Sequence, residues 1–348
     1  MSLTIVDEAS KIATAPRAAT REELPVLDLG PLLRGAPLDA LARQLRHACE
    51  TIGFFYVANH GVPQKVVDDV FAATKRFFDL PEQKRLEIKL DDRFRRGFMP
   101  YGINQHPGFA PDLKESYEYA LDLPEDDPTV VAGLPLHGPN RWPADMPWLR
   151  EAAEAYFNET MALGKRLLKL FALSLGMEEG FFLQYMKKPM VQSRLFHYPP
   201  QPPVARDAEF GVAPHSDYGM ITLLTQDPIG GLELKKRDGE WVAAPWLAGT
   251  FVINLGDMFK VCDQRPVCVQ PAPRGQPQRP RTLFDPDLLQ PRLRRAGGVS
   301  AAVPVGGTPA EICADQVGRL SGESVQDGAE AGAEREQVIL GDAQCAIC

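Results

Sequence analysis

The chain contains 348 residues, of which 44% are hydrophobic and 24% charged, and its formal net charge is −8. That apolar content suffices for a large core and excludes a chain disordered throughout. The acidic balance offers no field for nucleic acid or an anionic membrane, and neither a signal peptide nor an apolar run of membrane length is present, so the expectation is a cytoplasmic protein with small-molecule partners.

Residues 1–24 are polar and irregular and read as a flexible lead-in. A short strand is expected at 25–29, followed by a helix in which Leu41, Leu45, Ala48 and Ile52 recur on one stripe. Gly53 ends that helix, and the aromatic and β-branched run 54–58 predicts a buried strand before the turn at Asn59, His60 and Gly61. A second helix runs through Val66, Val70 and Phe77 and stops near Pro81. A third, from about 148 to 175, places Leu163, Leu167 and Leu170 on one face, with Gly176 as its stop. From 190 onward short apolar runs alternate with Pro, Gly and Asp, and strands are expected at 193–198, 220–225, 231–235, 240–243 and 250–255. Helices followed by closely spaced antiparallel strands indicate an α+β protein with a jelly-roll or barrel core.

Composition changes abruptly after Val261. Beyond it there is no Lys, His, Trp or Tyr, Phe284 is the only aromatic residue, and the cysteines other than Cys49 all occur there. Such a segment cannot contribute much core, because cores are built from large apolar side chains.

The sharpest local feature is Pro214-His215-Ser216-Asp217, just before the strand at 220–225. Residues two apart on extended backbone point the same way, so His215 and Asp217 can bring an imidazole nitrogen and a carboxylate oxygen to one point. That is two-thirds of the facial triad that holds non-haem Fe(II). A His-x-Asp pair alone is common by chance, and an ordinary loop is the competing reading.

The surrounding motifs carry more. The segments 25–29 and 53–62 (Gly-Phe-Phe-Tyr-Val-Ala-Asn-His-Gly-Val) are joined by 77–81, Arg96-Gly97-Phe98 and Asp112-Leu113-Lys114-Glu115. Further along come Arg194-Leu195-Phe196-His197-Tyr198-Pro199-Pro200, His215-Ser216-Asp217-Tyr218-Gly219, the run 230–234 and Ile253-Asn254-Leu255-Gly256-Asp257. In this order they resemble the isopenicillin N synthase-like branch of the Fe(II)- and 2-oxoglutarate-dependent oxygenases.

The resemblance implies a double-stranded β-helix, or jelly-roll, core with a helical N-terminal region. It divides the chain into a lead-in at 1–24, an N-terminal dioxygenase region at 25–130, a helical segment at 131–188, an oxygenase core at 189–261 and an aberrant tail at 262–348. It implies Fe(II), O2 and 2-oxoglutarate, with succinate and CO2 released as a small organic substrate is oxidised. His215 and Asp217 take the places of two iron ligands, and Tyr198 that of a tyrosine that hydrogen-bonds 2-oxoglutarate. Phe196 stands where plant-like members carry Asn. Some bacterial relatives bear ethylene- and succinate-forming labels. His60 is more simply a turn residue satisfying backbone, and Arg96 and Arg194 are either carboxylate binders or structural arginines. The loop at 98–110 is the expected determinant of substrate choice.

The pattern then breaks. The family expects a second histidine near position 272 and an Arg-x-Ser near 282 to 284, whereas this chain has Ala272, Thr282 and Phe284, and no His after His215. Arg281 is one position early and is followed two residues later by Leu283. Reading the codons of 262–286 from the second base of each, with permitted synonymous choices, gives from Asp263 the sequence TNDRFVS, then N or S, then PHRVVNRSGRERYSIP. Its histidine falls across Ala272, its arginine across Thr282 and its serine across Phe284. A register slip near Val261 therefore accounts for both the absent residues and the composition change. It predicts an incomplete jelly roll with open strand edges and a disordered tail. Three alternatives stand beside this reading: an inactive remnant, an iron oxidase that uses no 2-oxoglutarate, and a carbohydrate-binding jelly roll.

Overall fold

The computed structural model describes residues 16–51, 53–106, 109–199, 210–217, 219–236, 238–259 and 282–290, the last as backbone only. Eleven strands lie among the described residues: β1 (Arg17–Ala18), β2 (Val26–Asp28), β3 (Phe54–Ala58), β4 (Gly97–Met99), β5 (Glu115–Ala120), β6 (Met190–Tyr198), β7 (Ile221–Gln226), β8 (Glu233–Lys235), β9 (Trp241–Ala243), β10 (Phe251–Leu255) and β11 (Thr282–Gln290). An eight-stranded sheet has the order β2-β3-β10-β7-β11-β6-β5-β4, and a smaller sheet has the order β1-β9-β8.

The two faces of the large sheet follow from side-chain alternation. Phe55, Val57, Tyr117, Leu195, Leu223 and Ile253 point to one side and form a single core with three helices: α1 (Asp39–Thr51), α2 (Gln64–Phe78) and α3 (Pro147–Ser174). Leu163, Leu167 and Leu170 of α3 have no exposed surface, and full burial of each contributes about 1.5–3 kcal/mol. Phe54, Tyr56 and Val252 point the other way and pack against Leu234 and Val242 of the small sheet and against Leu232, which precedes β8. The lumen between the sheets is therefore the inside of a jelly roll.

Three expectations change. The lead-in is ordered from residue 16: β1 pairs in parallel with β9, Leu24 is buried, and the Arg17 guanidinium bridges Glu23 and Glu240. Residues 1–15 lie outside the described part. The region 25–130 is not a unit apart from the core, because β2, β3, β4 and β5 belong to the same sheet as β6 and β7. Of the tail at 262–348, residues 282–290 form a strand inserted between β6 and β7 and paired with both, while 262–281 and 291–348 lie outside the described residues. The facing edges of β6 and β7 present unpaired backbone groups to any extended segment, and backbone pairing requires no particular side chain. Even Pro286, which has no N–H to give, takes a register position opposite Leu224.

The missed strand β5 reads Glu-Ser-Tyr-Glu-Tyr-Ala and is buried throughout. Its alternate residues face the helix core (Tyr117, Tyr119) and the lumen (Ser116, Glu118), so polar residues lie inside and the usual polar-out signal is absent.

Candidate metal and co-substrate site

His215 and Asp217 sit on the segment leading into β7, inside the lumen. The His215 Nε2 lies 3.4 Å from Asp217 Oδ1. The His215 Nδ1 is 2.9 Å from the Ala213 carbonyl, which can only accept, so Nδ1 donates there and Nε2 faces the carboxylate. Asp217 Oδ2 accepts from Thr222 Oγ1 at 2.6 Å and from Asn254 Nδ2 at 2.7 Å, which leaves Oδ1 facing the imidazole. Burial alone raises the Asp217 pKa, but His215, Thr222 and Asn254 outweigh it and hold the carboxyl below its ordinary value.

Two glycines let the backbone close around this pair. Gly256 donates to the Met220 carbonyl at 2.9 Å, and Asp257 N donates to the Asp217 carbonyl at 2.6 Å. A Cβ on Gly256 would overlap the backbone of Gly219. The motifs at 215–219 and 253–257 thus share one close packing contact. Ser216 Oγ adds a hydrogen bond to Asp257 Oδ2 at 2.9 Å.

On its other flank, Asp112 Oδ1 accepts from Ala213 N at 2.8 Å, and Oδ2 lies 3.2 Å from Lys114 Nζ and 3.6 Å from His106 Nε2. Burial pushes the Asp112 pKa up, yet Lys114, His106 and the Ala213 N–H together hold it well below the usual carboxylate range. The His106 ring stacks on His215 with centroids 5.3 Å apart. Asp112, His106, Thr222 and Asn254 were not identified as site residues from sequence, although Asp112 and Asn254 fall within the resemblance motifs.

The donor set fits a metal ion as far as it extends. Two cis ligands at about 2.1 Å from an ion stand about 3 Å apart, close to the observed imidazole to carboxylate separation. Among the described residues no group of three His, Cys, Asp or Glu side chains could hold a metal. Position 272, where the missing histidine is expected, lies outside the described residues.

Tyr198 is on the lumen side of β6, where Phe196, Tyr198 and Val212 pack with Leu224. Through β11, Gln192 is level with Thr222 and Phe196 with Gln226. The three predicted residues share one lumen, and Val212, packed with Tyr198, adjoins the Ala213 whose carbonyl meets His215. His60 is elsewhere, on the helix side: its Nδ1 accepts from Val62 N at 3.1 Å and its ring meets Phe251 edge-on. Arg96 is structural, fully buried and donating to the carbonyls of Phe94, Arg95 and Leu136. Arg194 faces the lumen, 3.5 Å from Glu118 and 3.1 Å from Gln192.

Residues 24–145 match the family described as the non-haem dioxygenase in morphine synthesis N-terminal region, and residues 183–269 match the 2OG-Fe(II) oxygenase superfamily. A 2-oxoglutarate-Fe(II) type oxidoreductase of Emericella nidulans is 35% identical over 244 residues, covering 68% of this chain and 70% of its own. The chain belongs to the 2OG-Fe(II) oxygenase family. The homoarginine-6-hydroxylase of Glycine max is 32% identical over 254 residues, covering 68% of this chain and 75% of its own. A full-length Neurospora crassa protein solved with alpha-KG superposes with a TM-score of 0.66 at 26% identity, covering 80% of this chain and 89% of that one. The same Neurospora protein has also been solved with thymine and with 5-formyluracil. Members of this family use Fe(II), 2-oxoglutarate and O2. No helix among the described residues is long and apolar enough to cross a membrane.

Proposed function

We propose that His215 and Asp217 are two of the three protein ligands of a ferrous centre and that Tyr198 contacts 2-oxoglutarate. We propose further that the third ligand and the 2-oxoglutarate arginine are encoded in the shifted register across Ala272 and Thr282. The observation that carries this reading is the convergence of His215 Nε2 and Asp217 Oδ1 at 3.4 Å inside the lumen, each side chain held by a separate partner. A surface loop would not fix both the tautomer and the free carboxylate oxygen.

Bound Fe(II) would supply the O2 and 2-oxoglutarate chemistry of the family. The chain's own residues do the rest. The Ala213 carbonyl fixes the imidazole tautomer, and Thr222 and Asn254 turn the carboxylate toward it. The Tyr198 phenol would donate to a co-substrate carboxylate, and Phe196, Val212 and Leu224 pack beside it and exclude water. Phe196 offers no hydrogen bond where plant-like members carry Asn, so Tyr198 carries more of that contact. A small organic substrate accords with the ligands solved in the Neurospora relative.

The test begins with the nucleotide sequence of codons 255–290, which should show a one- or two-base slip. A register-corrected protein should release succinate from 2-oxoglutarate under O2, and D217A should abolish that release. Succinate formation unaffected by D217A would overturn the assignment.

A further inference from the structure

A second cluster lies in the lumen next to the His215 and Asp217 pair. Among the described residues, Arg95 is one of three non-glycine residues with positive φ, at 55°, a strained conformation for such a residue. That backbone turns its side chain inward, where the residue is 7% exposed. The Nε and Nη2 of Arg95 have no hydrogen-bond partner, and Nη2 is 3.8 Å from Glu118 Oε2. That same oxygen already accepts from Gln192 Nε2 at 2.6 Å. Lys114, 5% exposed, lies over the Phe196 ring at 4.8 Å, and the buried Ser116 Oγ is also without a partner.

These groups surround a cavity bounded by Arg95, Asn104, Lys114, Ser116, Glu118 and Phe196, with room for about one oxygen-sized atom. Its immediate charges are the Arg95, Lys114 and Arg194 cations against the Glu118 and Asp112 carboxylates, an excess of one positive charge. A buried guanidinium with unspent donors is costly unless a ligand meets it. The cavity is too small for a whole molecule and suits one oxygen of a planar anionic head. Glu118 on its wall disfavours a dianionic phosphate.

Building on the proposed oxygenase reading, we infer that Arg95 and Lys114 receive a carboxylate of the primary substrate and hold its body toward the iron site. The link to that site is continuous: Lys114 meets Asp112, Asp112 binds Ala213 N, and the Ala213 carbonyl orients His215. Anion capture would thus be tied to the element that positions the metal ligand.

The test is calorimetric titration of the full metal-free chain with acetate, benzoate, 3-phenylpropanoate and indole-3-acetate, each against its amide, and separately with 2-oxoglutarate. At least one acid should bind about tenfold tighter than its amide, the scale of a charge-assisted hydrogen bond. R95Q and K114M should each erase that preference, R95K should retain part of it, and R95Q should leave 2-oxoglutarate affinity unchanged. Circular dichroism identifies any variant that fails to fold, and the remaining variants then decide. Absence of an acid preference across the panel, or an acid preference untouched by both R95Q and K114M, overturns the inference. A loss in R95Q confined to 2-oxoglutarate assigns the cluster to the co-substrate and also overturns it. The oxygenase reading is tested separately by metal uptake through His215, so the two failures are distinguishable.

Discussion

Asp112 and His215 are coupled through a single alanine: Asp112 Oδ1 binds Ala213 N at 2.8 Å, and the Ala213 carbonyl binds His215 Nδ1 at 2.9 Å. A buried carboxylate on the segment before β5 therefore sets the orientation of an imidazole on the segment before β7. The large sheet makes this possible by placing β5 beside β6 and closing the lumen above both.

Acid should reveal the Asp112 network. Its folded pKa is depressed, so the stability it contributes is complete above its unfolded value of 3.8 and is lost as pH falls below that toward the folded value. D112N should cost about 3 kcal/mol at neutral pH, because Lys114 is left buried beside a neutral group. Urea unfolding of both proteins between pH 7 and pH 3 should show a shallower acid slope for D112N.

His60 should titrate with the opposite chemistry and no link to the metal. Burial first, with Arg166 adding repulsion, outweighs the hydrogen bond to Gly249 and lowers its pKa below 6.5. The unfolded chain then takes the proton first, so stability falls as pH drops below 6.5 toward the folded value. An NMR titration should place the His60 midpoint below 6.5, and H60Q should flatten the stability profile in that window without changing metal affinity.

The Gly256 contact with Gly219 predicts a coupled loss. G256A should force the backbone at Gly219 to move, destabilise the fold by about 1–3 kcal/mol and weaken divalent metal binding. Thermal melts and a Co(II) titration measure the two effects. Unchanged affinity would show that the 215–219 loop does not depend on this packing.

In the proposed centre Thr222 and Asn254 would act on the metal only through Asp217. T222V and N254L should each lower Fe(II) affinity about 10- to 100-fold while leaving secondary structure intact. Anaerobic Fe(II) titration of each variant checks this.

Much of the architecture could be read from the sequence. The stripe Leu163, Leu167 and Leu170 lies within the helix Pro147–Ser174, and the run at 54–58 is β3. Periodicity revealed the helix because one stripe of it is apolar and buried, and the aromatic and β-branched run revealed β3, which is apolar and buried on both faces. Periodicity failed for β5, whose lumen residues Ser116 and Glu118 are polar and buried. At the site, His-x-Asp spacing pointed to one face for His215 and Asp217, and the structure brings them together. Spacing could not reveal Asp112 or Asn254, because their contacts with Ala213 and Asp217 depend on how separate strands pair. Nor could it reveal Arg95, whose role depends on a positive φ no local pattern requires.

The most direct measurement is anaerobic Fe(II) titration of three proteins: the chain as sequenced, its H215A variant and the register-corrected product. The account predicts that the corrected product binds one Fe(II) at least about tenfold tighter than the present chain, and that H215A weakens what affinity the present chain has. A corrected product that takes up no Fe(II), or a present chain indifferent to H215A, would contradict it.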